Sequence, residues 1–139
     1  MQSTTDRNKQ IVVRFNEEVI GKGSLRSFGE LVAEDVVNHS APPGSPQGPQ
    51  SMSYFIFEVL RKGFPDIRAE ILDQIAEGDK VASRKILRGT HRGEFLGVPP
   101  TGKEVAINVT DIVRLRDDKY AEHWGMSDIG DVVKRLKGG

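Results

Sequence analysis

The apolar residues of this chain recur every three or four positions as far as Phe64 and every second position beyond Pro65, and this change of period constrains the fold more than any other feature. A period of about 3.6 gathers side chains on one face of a helix, whereas a period of two gathers them on one face of a strand. Helices are therefore expected first and strands after them. Ile11, Val12, Phe15 and Val19 form one helical stripe, preceded by the capping candidates Thr4, Thr5 and Asp6 and stopped by Gly21-Lys22-Gly23. Ser24 can cap a second short helix carrying Leu25, Phe28, Leu31 and Val32 and ending near Glu34-Asp35. A third has Pro49 near its first turn, then Met52, Phe55, Ile56, Val59 and Leu60, with Gly63 as terminator. Residues 40–51, rich in Pro, Gly and Ser, read as a loop.

Past Pro65, residues 67–76 and 80–90 flank Glu77-Gly78-Asp79, and residues 105–116 and 120–126 flank Asp117-Asp118-Lys119. Two hairpins in succession favour antiparallel pairing. A last helix can start at Ser127 or Asp128 and place Ile129, Val132, Val133 and Leu136 on one face. Grouped helices followed by grouped strands indicate the α+β class, a curved antiparallel sheet whose N-terminal helices enclose a small, mostly apolar pocket. The length of 139 residues without internal repeat fits a single domain, 1–139.

Twenty Lys and Arg balance 20 Asp and Glu, so the chain lacks the broad positive field that neutralises phosphates, and a nucleic-acid partner is not expected. With no cysteine, disulfides, thiolate metal ligands and a cysteine nucleophile are excluded. No apolar run reaches the roughly 20 residues that span a bilayer, and residues 1–10 are polar, so neither membrane nor signal segment is expected and a cytoplasmic location is the default. The three histidines lack the spacing of a helical metal site, and neither a phosphate-binding Gly-rich loop nor a Gly-x-Ser-x-Gly elbow is present. No metal is therefore expected.

Within the third strand, Val105, Ile107, Val109, Val113 and Leu115 share a face with Asp111. A carboxylate pointing inward should have a raised pKa unless a donor or cation meets it, and such groups are enriched at functional sites. The alternative is a hydrogen-bonded sheet-edge residue, or one turned outward by a bulge. The fourth strand divides into Tyr120, Glu122, Trp124 and Met126 on one face and Ala121, His123 and Gly125 on the other. Small residues beside His123 suit a cavity lining, which makes it a candidate proton donor or acceptor; the alternative is a satisfied core histidine. Asn38 and His39 sit where the second helix gives way to the loop, as substrate contacts at a cavity mouth or as turn residues. His91 and Trp124 are further candidate contacts, with loop-edge and packing roles as their alternatives.

Several segments carry a family resemblance that spans residues 9–136. They are Phe15-Asn16-Glu17-Glu18, Val37-Asn38-His39, Phe64-Pro65-Asp66, residues 73–81, residues 89–103 and Glu122-His123-Trp124, of which the stretch from Thr90-His91 to Lys103 is the most specific. The chain resembles the SnoaL-like polyketide cyclases, or ester cyclases, of the nuclear-transport-factor-2-like superfamily. That resemblance implies a cone-shaped α+β barrel, commonly a homodimer. It also implies an aldol-type ring closure by proton transfer, without metal or organic cofactor, on a small apolar carbonyl-containing molecule. It places an essential aspartate on the last strand, an assisting histidine on the strand before, and an asparagine near the cavity mouth. Asn38 matches the asparagine, but Asp111 stands in the histidine's place and Gly125 in the aspartate's. Glycine cannot transfer a proton, so the expected acid/base pair is a rearranged one, Asp111 with His123. The other expectation is a pocket protein that binds a small apolar ligand without turnover.

Overall fold

Ser3 starts the first helix, α1 (Thr4–Arg14), by accepting the Asp6 N–H at 3.1 Å. In this computed structural model, which describes residues 2–138, α1 runs on into a wider π-helical stretch, Phe15–Gly21. Where the helix widens, the Asn16 side-chain amide donates to the Val12 carbonyl at 2.8 Å. Ser24 caps α2 (Leu25–Leu31) by accepting the Ser27 N–H. This helix ends sooner than its apolar spacing suggests, because Val32–Asn38 is a strand, β1. Val32, Val36 and Val37 are stiff at χ1 and fit a pleated surface better than a helix. Helix α3 covers residues 50–63, with a π-helical middle at Tyr54–Leu60. Then follow β2 (Arg68–Glu77), β3 (Lys80–Thr90), β4 (Glu104–Arg116), β5 (Lys119–Ser127) and α4 (Ile129–Leu136).

The sheet order is β1-β5-β4-β3-β2. Strands β2 to β5 pair antiparallel, as the hairpin signals require, and the unforeseen β1 adds a parallel edge against β5. Both hairpins close through two-residue turns. Gly78 has φ 60° in the first, and Asp117 and Asp118 have φ 53° and 64° in the second, a left-handed pair that aspartate tolerates better than most residues.

Helices α1 and α3 cover the concave face of this α+β fold. Val12, Phe15 and Val19 from the first, and Ile56 and Leu60 from the second, share a core with Val81, Leu87, Ile107, Val113 and Leu115 of the sheet. Tyr120 departs from the expected alternation. Arg114 pairs with Glu122 but Leu115 with Tyr120, so Ala121 is an extra residue in β5 and the parity flips there. Tyr120 consequently lies in the core, stacked on Phe15 with ring centroids 4.3 Å apart, and only Glu122, Trp124 and Met126 remain on the outer face.

Candidate active site

Asp111 projects from the middle of β4, where register sets it across from Ser83 of β3 on one side and Gly125 of β5 on the other. The inward direction read from strand alternation is correct: Asp111 is 4% exposed. Its Oδ2 receives the Lys85 ammonium at 3.3 Å and faces His123 Nε2 at 3.4 Å, a long hydrogen bond. Its Oδ1 is buried and has no hydrogen-bond partner among the described residues. Lys85 also donates to Asn16 Oδ1 at 2.7 Å. The cluster thus joins α1, β3, β4 and β5.

A second chain of bonds orients the imidazole. Asn38 Nδ2 donates to the Ser51 carbonyl at 2.8 Å, and Asn38 Oδ1 accepts the Ser40 N–H at 3.1 Å. These two bonds fix which end of the amide faces His123, because a flipped amide would set two donors and two acceptors against each other. His123 Nδ1, 3.1 Å from Asn38 Oδ1, is therefore the donor in that contact. With Nδ1 carrying a proton, the Nε2···Oδ2 contact is favourable only when a further proton lies between His123 and Asp111. Asn38 thus turns its carbonyl oxygen toward His123 and positions the ring. Pairing of β1 with β5, including His39 N–H to the His123 carbonyl at 2.9 Å, places it there.

Burial is the largest influence on Asp111 and pushes its pKa up. The charge of Lys85 and the contact with His123 together outweigh burial, so the carboxyl lies below its ordinary value. The rise expected for an unmet inward carboxylate is thereby reversed by a cation that the sequence reading overlooked. Lys85 shares the inward row of β3 with Val81, Ser83 and Leu87 and is 5% exposed. The alternation that singled out Asp111 could have singled it out as well. Asn16, 1% exposed within the stripe Val12, Phe15, Val19, carried a similar signal. Burial, with the Asp111 charge adding, pushes the Tyr120 phenol well above its ordinary pKa.

Of the residues singled out from sequence, Asp111, His123 and Asn38 come together. His39 and Trp124 instead meet each other on the outer face, their rings stacked 4.7 Å apart and 3° from parallel. His39 Nε2 lies 2.8 Å from Glu122 Oε2, which is on that face too. A substrate contact from either side chain is thus separated by the sheet from Asp111. His91 is fully buried beyond Thr90, which pairs with Glu104, seven residues before Asp111 on β4. At about 3.3 Å per residue this is roughly 23 Å along the sheet. There His91 Nδ1 accepts the Thr101 N–H at 3.2 Å and meets Thr101 Oγ1 at 2.9 Å, holding the loop that follows β3. Two clefts of about 390 and 260 Å³ open elsewhere, one beside the Asp117-Asp118 turn and one around Arg68, Arg88 and Glu104. Of the three side chains meeting at Asp111 Oδ2, Asp111 and Lys85 are 5% and 6% exposed and His123 is the most exposed at 19%. Among the described residues, no three His, Asp or Glu side chains are grouped closely enough to hold a metal ion, and no helix is long and apolar enough to cross a membrane.

Gly125 explains how the imidazole fits. A Cβ there would stand 3.0 Å from His123 Cε1 and 3.4 Å from Nε2, so the ring occupies space that a side chain at this position would need. The Gly125 backbone is also held by the loop after β1: its N–H donates to Ser40 Oγ at 2.5 Å, and Ser40 Oγ–H donates to its carbonyl at 3.2 Å.

Comparison with known proteins agrees with this architecture. The sequence profile of the SnoaL-like polyketide cyclases matches residues 10–136. Among solved structures, IdmH of Streptomyces antibioticus, a candidate polyketide cyclase, is 33% identical with a TM-score of 0.80, over 94% of this chain and 98% of its own. A candidate SnoaL-like polyketide cyclase of Jannaschia sp. CCS1 is 25% identical with a TM-score of 0.85, over 100% of this chain and 97% of its own. AclR of Streptomyces galilaeus, a candidate hydroxylase, is 27% identical with a TM-score of 0.84, over 97% of this chain and 83% of its own. No curated protein matches the sequence.

Proposed function

The chain belongs to the SnoaL-like polyketide cyclases, and from that premise we propose that it closes a ring in a small, largely apolar carbonyl compound by cofactor-independent acid/base chemistry, with Asp111 as the proton acceptor. One observation carries the reading: a buried carboxylate with Oδ2 engaged by Lys85 and His123 and Oδ1 left without a partner among the described residues. Oδ1 takes a proton from the carbon next to a carbonyl, and the electron pair shifts to the carbonyl oxygen as an enolate. The enolate carbon then attacks a second carbonyl of the same molecule, and the proton passes from Oδ1 to the new alkoxide. One carbon–carbon bond forms, and the carboxylate is regenerated. His123, the more exposed partner of Asp111, stabilises the negative oxygen while it exists. The substrate enters on the His123 side, past Asn38 and Ser40. The protein acts as a homodimer through the outer sheet face, where Met126 is 80% and Ile75 74% exposed and Ile112 and Trp124 lie between them.

The test is a panel of polyketide-like β-keto esters incubated with the wild type and with Asp111→Asn, products followed by mass spectrometry. Ring closure by the wild type with a loss of about 10²-fold or more in D111N is expected. Equal turnover by D111N overturns the assignment of Asp111. Gly125 at the family's aspartate position favours the second reading, a ligand-binding protein without turnover; saturable binding with no product from the wild type is its signature.

A further inference from the structure

We propose that Lys85 is a positioning residue of this site: it holds the Asp111 carboxylate with Oδ2 engaged and Oδ1 free, and Asn16 holds Lys85 in turn. The inference rests on reading Asp111 as the proton acceptor. An ammonium on the inward face of β3 is a poor choice for stability alone, since a hydrophobe at such a place is often neutral or better. The bonds around Lys85 form a directed chain. Asn16 Nδ2 is committed to the Val12 carbonyl, so its Oδ1 must face Lys85, and Lys85 Nζ reaches from there to Asp111 Oδ2. Beyond Asp111 the chain continues through His123 and Asn38 to the Ser51 carbonyl at the start of α3. One line of polar groups thus crosses the concave face from α1 to α3, and Lys85 is the member that supplies a charge independent of the His123 proton.

The groups facing Asp111 are Lys85 from β3 and His123 and Tyr120 from β5, with the neutral Ser83 across from it and Asn16 behind Lys85. Of the titratable three, Lys85 and His123 both oppose the effect of burial on the carboxyl, the Lys85 charge most strongly. Its removal should leave burial dominant.

The experiment is a pH titration of the Asp111 side-chain carbon by NMR in protein carrying ¹³C-labelled aspartate, the resonance identified by its absence in D111N. In Lys85→Met, the proton affinity of Asp111 is expected to rise about tenfold or more. Lys85→Arg should restore most of the wild-type midpoint, and Asn16→Leu should move it in the same direction as K85M but by less. An unchanged midpoint in folded K85M, or an equal displacement in K85R, overturns the proposal. Should K85M fail to fold, Lys85→Gln decides in the same way, a raised midpoint supporting the proposal and an unchanged one overturning it. Loss of the reaction assignment would show separately, as turnover that survives D111N.

Discussion

Breaking the Lys85–Asp111 pair from one side should cost far more than removing both partners. The two side chains are 6% and 5% exposed, so each loses most of its hydration on folding and relies on the other. In K85M, Asp111 keeps only the long contact with His123. Removing one member of a buried pair typically costs about 3–5 kcal/mol, because an unmatched charge stays behind. The lower value applies here, since Asp111 can relieve the strain by taking up a proton. A cost of about 3 kcal/mol divided by a urea slope of about 1–3 kcal/mol per molar moves the unfolding midpoint down by roughly 1–3 M. Asp111→Leu alone should behave similarly by leaving Lys85 with Asn16 as its sole partner in the pair's place. The double variant K85M/D111L removes both charges and should lie close to the wild type, since apolar replacements of a buried pair are often neutral or stabilising. The deficit of K85M also depends on pH. The wild-type carboxyl lies below its ordinary pKa, so its contribution is complete above the unfolded carboxylate range and fades as pH falls through the lower folded value. K85M should therefore differ most from the wild type near neutrality and converge on it in acid. Single variants that each cost under about 1 kcal/mol, or a double variant whose cost is their sum, would refute the reasoning.

Gly125→Asp should not restore the family's arrangement. Its Cβ falls 3.0 Å from His123 Cε1, so the ring must move, at an overpacking cost of about 1–3 kcal/mol, and its carboxylate meets Asp111 directly across the strand pair. Displaced His123 ring resonances with lowered thermal stability are expected, and an unmoved ring would contradict the packing account. Met126→Glu, on the exposed outer face, should turn the proposed homodimer into a monomer in light scattering without loss of secondary structure. His91→Asn should lower stability by about 1–3 kcal/mol through the Thr101 contacts but leave the Asp111 titration where it is. A changed titration would mean that His91 communicates with the site.

What could be read from sequence was set by how regular each element is. Strand β4 alternates from Ile107 to Leu115 without a break, so the inward direction of Asp111 followed from counting. Strand β1 does not alternate: Val32 and Ala33 are both buried, then Glu34 and Asp35 both exposed, and a short segment of that pattern is as easily given to the helix before it. The parity of Tyr120 was lost for another reason. The extra residue Ala121 leaves no mark in the sequence, yet it reverses the faces of everything before it in β5. His39 and Asn38 illustrate the same rule at the smallest scale. One residue apart at the end of β1, they reach opposite faces of the sheet, Asn38 to His123 and His39 to Trp124. The role of Asn38 needed its partners as well as its position, since only the bonds to Ser51 and Ser40 show which end of its amide faces His123.

Gly125 looks like a lost catalytic residue when the positions are compared one at a time, but the register gives it a different meaning. Asp111 and Gly125 are partners across β4 and β5, so Asp111 and the aspartate position that the resemblance implies fall within one cross-strand pair. His123 of β5 reaches Asp111, and its ring fits because position 125 has no side chain to oppose it. Aspartate at 111, histidine at 123 and glycine at 125 are consequently one linked arrangement. Lys85 belongs to it too, because its charge, together with His123, holds the buried Asp111 carboxyl below its ordinary pKa. Changing any one of the four alone breaks a contact made by the others, so a single reversion should yield a damaged version of this site and no working copy of the other.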